Sequence, residues 1–146
     1  MKILVTCPPM IGLIEEFKPL FTANGIEVDC PEVVQTLSVE ELKTLVPQYD
    51  AWIIGDDPAN HDVFAAGIAG KLRAAVKRGV GVDNVDFVAA KELDIPVTNT
   101  PRMFGGEVAD IAMGYVTALA RETFIIDRGV REGKWLKPSG ISLAGK

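Results

Sequence analysis

The stretch 72–98, LRAAVKRGVGVDNVDFVAAKELDIPVT, decides the fold. Residues 72–76 are a short apolar run, 86–93 carry apolar side chains at helical spacing behind an acidic start, and 95–98 are a second apolar run. A helix between two strands is too long a link for a hairpin, so the strands lie parallel with a right-handed crossover. The same alternation runs back to the N-terminus. KILVT (2–6) is a strand closed by Pro8-Pro9, and Ile11, Ile14, Phe17, Leu20 and Phe21 predict a helix over 11–23. A second strand follows at 26–28, and Ser38-Val39-Glu40-Glu41 is a capping box opening a helix through 45. AWII (51–54) is a third strand and 61–69 a third helix, which makes 72–76 and 95–98 strands four and five. The expected fold is α/β: a flavodoxin-like, doubly wound, five-stranded parallel sheet covered on both faces. Ligands of such sheets gather at the carboxyl ends of the strands, here 6–9, 55–58 and 77–84.

Past Thr100-Pro101 the pattern changes. Residues 106–124 read as one long apolar helix containing VADIAMGYVTALA (108–120), followed by a polar segment at 127–135 and a tail rich in Pro, Gly and Ser. The chain therefore divides into a flavodoxin-like domain over 1–100 and a C-terminal arm over 101–146. A helix added without a matching strand does not extend the sheet, so its apolar surface needs another partner.

Composition narrows the function. At 146 residues, 48% hydrophobic and 24% charged, the chain has ordinary globular usage with material for one core. A net charge of −5 removes the electrostatic basis for gripping a phosphate backbone, so nucleic acid is not an expected partner. No apolar stretch approaches the roughly 20 residues that span a bilayer, and 3–5 is too short for a signal-peptide core. A cytoplasmic protein with no membrane partner is expected. Its two cysteines, Cys7 and Cys30, lack metal-ligand spacing and are expected to be small buried hydrophobes.

Gly79-Val80-Gly81 stands between a strand and a helix, as a dinucleotide fingerprint would, but Asn84 occupies the place of the third glycine. Two readings remain open. Either the pair lets the backbone approach a ligand, presenting the N–H groups of Val80 and Gly81 to an anion, or it serves a tight turn that needs positive φ. Asp83, Asn84 and Asp86 could be metal ligands, yet they stand where a helix needs capping, and no metal is expected. Asp56 and Asp57 suggest a phosphoacceptor, but the first strand ends in Thr6-Cys7-Pro8 and lacks the acidic pair that would hold magnesium. His61, the one histidine, is expected to be an exposed helix-start residue and not a general base.

Several segments together resemble the D-2-hydroxyacid dehydrogenases, in particular their phosphoglycerate dehydrogenase-like branch. They are IIGDDP (53–58), RGVGVDNVD (78–86), AAKELDIPVTNTP (89–101), EVADIAMGYVTALAR (107–121), VREGKW (130–135) and ISLAGK (141–146). The resemblance implies an oxidoreductase that moves a hydride between NAD and a small D-2-hydroxy or 2-keto acid, with this chain as its substrate-binding half. It implies that the nucleotide-binding domain and the arginine, glutamate and histidine of hydride transfer lie later than residue 146, so that the chain alone is inactive. By resemblance the amides of Val80 and Gly81 receive the substrate carboxylate, Val80 and Val108 border the nicotinamide, and Asn84 braces the loop. Lys77, with Arg78 beside it, and Gly55 are expected among the substrate-binding residues with Asn84; they stand where relatives carry arginine, and the loss of arginine weakens any claim that the substrate carries a phosphate. Asp110 replaces a common glutamate. The arm, residues 106–135, is expected to form a homodimer. The alternative is a non-catalytic flavodoxin-like module that self-associates or binds anions.

Overall fold

The computed structural model describes all of residues 1–146. They form two compact units, Met1–Met103 and Phe104–Lys146. The first unit runs β1 (Lys2–Val5), α1 (Pro8–Ile11), α2 (Ile14–Ala23), β2 (Glu27–Asp29), α3 (Val39–Leu45), β3 (Ala51–Ile54), α4 (His61–Ala69), β4 (Ala74–Lys77), α5 (Phe87–Glu92) and β5 (Val97–Asn99). All four strand pairs are parallel, in the order β2-β1-β3-β4-β5, which is the flavodoxin order. The register pairs Val5 with Ile53, Ile54 with Lys77 and Lys77 with Asn99, so the strand exits at Thr6, Gly55, Arg78 and Thr100 line up along one rim.

Local signals account for the helix starts. Ser38 accepts the Glu41 amide while Glu41 reaches back to the Ser38 amide, closing the capping box. Asn60 and Asp86 cap α4 and α5 by accepting the amides of Val63 and Ala89. The helix expected over 11–23 is in two pieces. Pro8 and Pro9 occupy the first turn of a short helix, where a missing N–H costs nothing, and the chain re-enters a helix only at Ile14. Of its expected apolar face Ile14 is buried and Ile11 and Phe21 are half-buried, but Phe17 and Leu20 are exposed.

The main core lies on one face of the sheet. Leu4, Trp52, Ile54 and Ala75 pack there against Leu42, Val46, Val63, Phe64 and Ala90, with the Trp52 and Phe64 rings meeting edge-on at 6.3 Å. The other face gathers Val5, Cys7 and Ile14 with Met10, Phe21, Val28 and Ile53. Both cysteines are free; Cys7 is buried, and burial pushes the Cys30 thiol up, which suits packing and not nucleophilic attack.

In the second unit the expected single helix over 106–124 ends earlier, as α6 (Gly105–Ala120), and the segment expected to be a polar stretch is α7 (Thr123–Arg131). The break falls at Glu122, whose φ of 54° is left-handed. Gly129 then allows Leu136 to close on α7, since a Cβ there would come within 2.5 Å of Leu136 Cδ1. No residue of α6 is buried. No helix of the structure is long and apolar enough to cross a membrane.

Candidate functional site

The rim formed by the exits of β3, β4 and β5 collects most of the residues singled out in the sequence. Gly55 follows β3, and its carbonyl accepts Lys77 Nζ at 2.5 Å and Asn84 Nδ2 at 3.1 Å. Only glycine fits there, because a Cβ would stand 2.8 Å from both Cys7 Cα and the Thr6 carbonyl oxygen. Asn84 also donates to the Asp57 carbonyl at 2.7 Å, so one amide side chain ties the loop after β4 to the loop after β3. Lys77 is 4% exposed, and its ammonium pairs with Asp56 at 2.9 Å.

Beneath these loops lies a fully buried carboxylate. Asp57 accepts the Thr6 hydroxyl at 2.5 Å, the Leu37 amide at 2.9 Å and the Gly55 amide at 3.2 Å, and Thr6 in turn accepts Trp52 Nε1 at 2.8 Å. Three donors satisfy its oxygens, which explains how the carboxyl group resides in the interior, and its full burial leaves no face open to a phosphoryl group. Asp56, by contrast, is exposed.

The loop 78–84 leaves β4 with its backbone held at one side only. The Arg78 amide donates to Ile54, the Gly79 amide donates to Thr100 Oγ1, and Thr100 returns its own amide to the Gly79 carbonyl. The amides of Val80 and Gly81 donate to no protein acceptor, and both residues are exposed. Gly79 has a φ of 157° while Gly81 has a negative φ, so positive φ explains at most one of the two glycines. The loop borders a cleft of about 310 Å³ lined by Asp56, Lys77, Arg78, Gly79, Gly81, Asp83 and Asn84. Larger clefts of about 520 and 670 Å³ lie by Lys2 and Asp50 at the strands' amino ends and beside α5, away from these donors.

The remaining candidates are elsewhere. His61 is exposed at the start of α4 with only Asp62 against it, at 3.3 Å, so nothing orients it for proton transfer. Asp86 is spent on its cap, and no group of three metal-ligating side chains occurs. Val108 sits on α6 of the second unit and is 64% exposed. Sequence reasoning passed over Asp57 as a brace and gave Asn99 and Thr100 no role, although all three hold the loops; apart from the Gly55 amide two residues before Asp57, the loop partners lie 19 or more residues away, beyond any local signal.

The fold is that of a doubly wound α/β domain, a class whose ligands bind at the carboxyl rim of the sheet, where this chain presents its main-chain donors. The chain belongs to the D-isomer specific 2-hydroxyacid dehydrogenase, catalytic domain family, whose model matches residues 3–129. It is 37% identical to D-3-phosphoglycerate dehydrogenase of Archaeoglobus fulgidus over 149 residues, an alignment that covers all of this chain and 27% of that protein. It is 34% identical to hydroxypyruvate reductase of Thermotoga maritima over 113 residues, covering 75% of this chain and 36% of that protein. Among solved structures, an NAD+-bound 3-phosphoglycerate dehydrogenase of Entamoeba histolytica superposes with a TM-score of 0.78 at 24% identity, over 98% of this chain and 43% of that one. The chain thus spans between a quarter and a half of these relatives' lengths.

NAD use goes with the family, but the pyrophosphate of a dinucleotide does not fit the Gly79–Gly81 turn. The helix that follows is six residues long, and its N-terminus is already capped by the Asp86 carboxylate, which repels a phosphate where a fingerprint helix would attract one.

Proposed function

We propose that the chain is the substrate-carboxylate half of an NAD-dependent dehydrogenase acting on a small D-2-hydroxy or 2-keto acid, resembling phosphoglycerate dehydrogenase. The observation that carries the reading is the pair of unbonded amides of Val80 and Gly81 in the exposed loop at the strands' carboxyl ends, with Gly81 lining the cleft there. A carboxylate seated there accepts two main-chain hydrogen bonds, which fixes the acid's orientation. Gly55, Lys77 and Asn84 act on the acid indirectly, by holding the loops, and Arg78 supplies positive charge to the cleft. With Lys77 turned inward onto Asp56, and Asp83 also on the cleft wall, a second anionic group on the acid is disfavoured, so an unphosphorylated acid fits better. Val80, half-exposed beside the donors, and Val108 are assigned to the border of the nicotinamide in the longer enzyme.

Hydride transfer also requires an oriented proton donor over the acid; His61 is exposed with only Asp62 against it, and Lys77 is turned onto Asp56, so the chain alone is expected to turn over no substrate. The experiment is a titration of the ¹⁵N-labelled chain with pyruvate, with NADH consumption measured in parallel. Saturable shifts at the Val80 and Gly81 amides without NADH oxidation are expected; absence of a shift at both amides, or oxidation at an enzyme-like rate, overturns the reading.

A second reading, self-association through 106–135, is favoured by α6 itself. Ile111, Met113, Val116 and Leu119 are between 47% and 71% exposed. Burying each is worth roughly 1.5–3 kcal/mol, enough across a two-fold interface to offset the cost of association. Light scattering that shows a monomer at roughly ten micromolar would count against it.

A further inference from the structure

The donor loop after β4 is held open by residues of β5 and its exit. Three hydrogen bonds bear on it: Gly79 N–H to Thr100 Oγ1 at 2.9 Å, Thr100 N–H to the Gly79 carbonyl at 3.1 Å, and Asn99 Nδ2 to the Val80 carbonyl at 3.1 Å. Together they satisfy the Gly79 amide and the carbonyls of Gly79 and Val80, the groups on one side of the loop. A peptide unit is planar, so fixing the carbonyl of Gly79 also fixes the N–H of Val80, and fixing the carbonyl of Val80 fixes the N–H of Gly81. The two carbonyls are anchored, and the two amides joined to them donate to no protein acceptor, like those of Val82, Asp83 and Asn84 further along the loop.

We infer that Asn99 and Thr100 are positioning residues for the anion-binding loop: by holding the Gly79 amide through the Thr100 hydroxyl and the Gly79 and Val80 carbonyls through the Thr100 N–H and the Asn99 side chain, they aim the next two amides outward. The inference rests on the carboxylate reading of that loop. It also gives the NTP segment at 99–101 a physical task, since Thr100 is three residues from the end of the first unit at Met103.

The test uses the whole chain with pyruvate as the probe and three variants. Thr100→Val keeps the shape and removes the acceptor of the Gly79 amide; Asn99→Asp keeps the shape and removes the donor to the Val80 carbonyl; Thr100→Ser restores the hydroxyl. Each impaired variant is expected to weaken pyruvate binding roughly three- to tenfold, the range a single net hydrogen bond supports, while Thr100→Ser stays within about twofold. Amide hydrogen exchange supplies a readout without ligand: the Gly79 amide is slow in the parent chain and fast in Thr100→Val, and the Val80 and Gly81 amides are fast in both. Should one variant fail to fold, the other carries the comparison. Parent-like binding in Thr100→Val and Asn99→Asp overturns the clamp and leaves the carboxylate reading standing. No binding to the parent chain overturns both.

Discussion

Replacing Asp57 with alanine removes the acceptor around which three loops converge. The Gly55 and Leu37 amides each lose a charge-assisted hydrogen bond, at 3.2 and 2.9 Å, while the Thr6 hydroxyl can turn to the Ile53 carbonyl 3.4 Å away. Leaving the buried Gly55 N–H and the part-buried Leu37 N–H without a partner costs about 1.5–3 kcal/mol each, so the expected loss is about 3–6 kcal/mol against a total of about 5–15 kcal/mol for a domain of this size. That corresponds to a melting temperature lower by about 8–15 °C. Asp57→Asn is also destabilising, because the amide can offer its oxygen to only part of the donor set and turns N–H groups toward the rest. Urea unfolding followed by circular dichroism gives the free energies, and heating gives the temperatures. A loss below about 1 kcal/mol in Asp57→Ala, with an unchanged urea slope, would show that the three donors have other partners and that Asp57 is not the brace described here.

Three further outcomes are expected. Gly55→Ala drives a Cβ to 2.8 Å from backbone atoms of Thr6 and Cys7, which cannot rotate away, and lowers stability by about 1–3 kcal/mol in urea titrations. The Tyr49 hydroxyl, 2.5 Å from Asp29, is raised to about 12 by burial and by that hydrogen bond, and the same bond, with Lys2, holds Asp29 below its ordinary value. A tyrosine raised in the fold stabilises fully below pH 10 and loses that contribution as pH climbs through about 12. A depressed carboxylate stabilises above its ordinary value of 3.8 and loses that contribution as pH falls through its lower folded value. Tyr49→Phe should therefore flatten both limbs of a stability-against-pH curve, and limbs as steep as the parent's would show that the pair does not set them. Finally, Leu119→Glu, at a position 71% exposed on α6, should abolish a dimer seen by light scattering without altering the melt of the first unit; an unchanged mass would place any interface elsewhere.

Much of the first unit was written in short-range signals. The apolar runs at 51–54 and 72–76 predict strands β3 and β4 to within a couple of residues, and Ser38 and Asp86 announce helix starts because a cap needs only an amide two or three residues on. Strands separated by helices must pair in parallel whatever their neighbours, so the class of sheet followed from order alone. The break at Glu122 did not, since Arg121-Glu122-Thr123 contains neither glycine nor proline and a left-handed residue there satisfies packing and not propensity. The family resemblance was equally legible, being a run of local motifs from 53 onward.

Tertiary structure alone decided which of the polar residues meet. Lys77 looked like a ligand for a substrate anion, and its sequence neighbours do not reveal that Gly55 and Asp56, more than twenty residues earlier, take up its ammonium once β3 and β4 lie side by side. Asp57 read as a spare carboxylate until Thr6, Leu37 and Gly55 came together around it. The two glycines at 79 and 81 allowed either a turn or a donor loop, and only the bonds from Asn99 and Thr100 show which amides stay unbonded. Periodicity and caps act over a few residues and can be read along the chain; hydrogen-bond partnership across strand exits depends on strand order and register, which no short window contains.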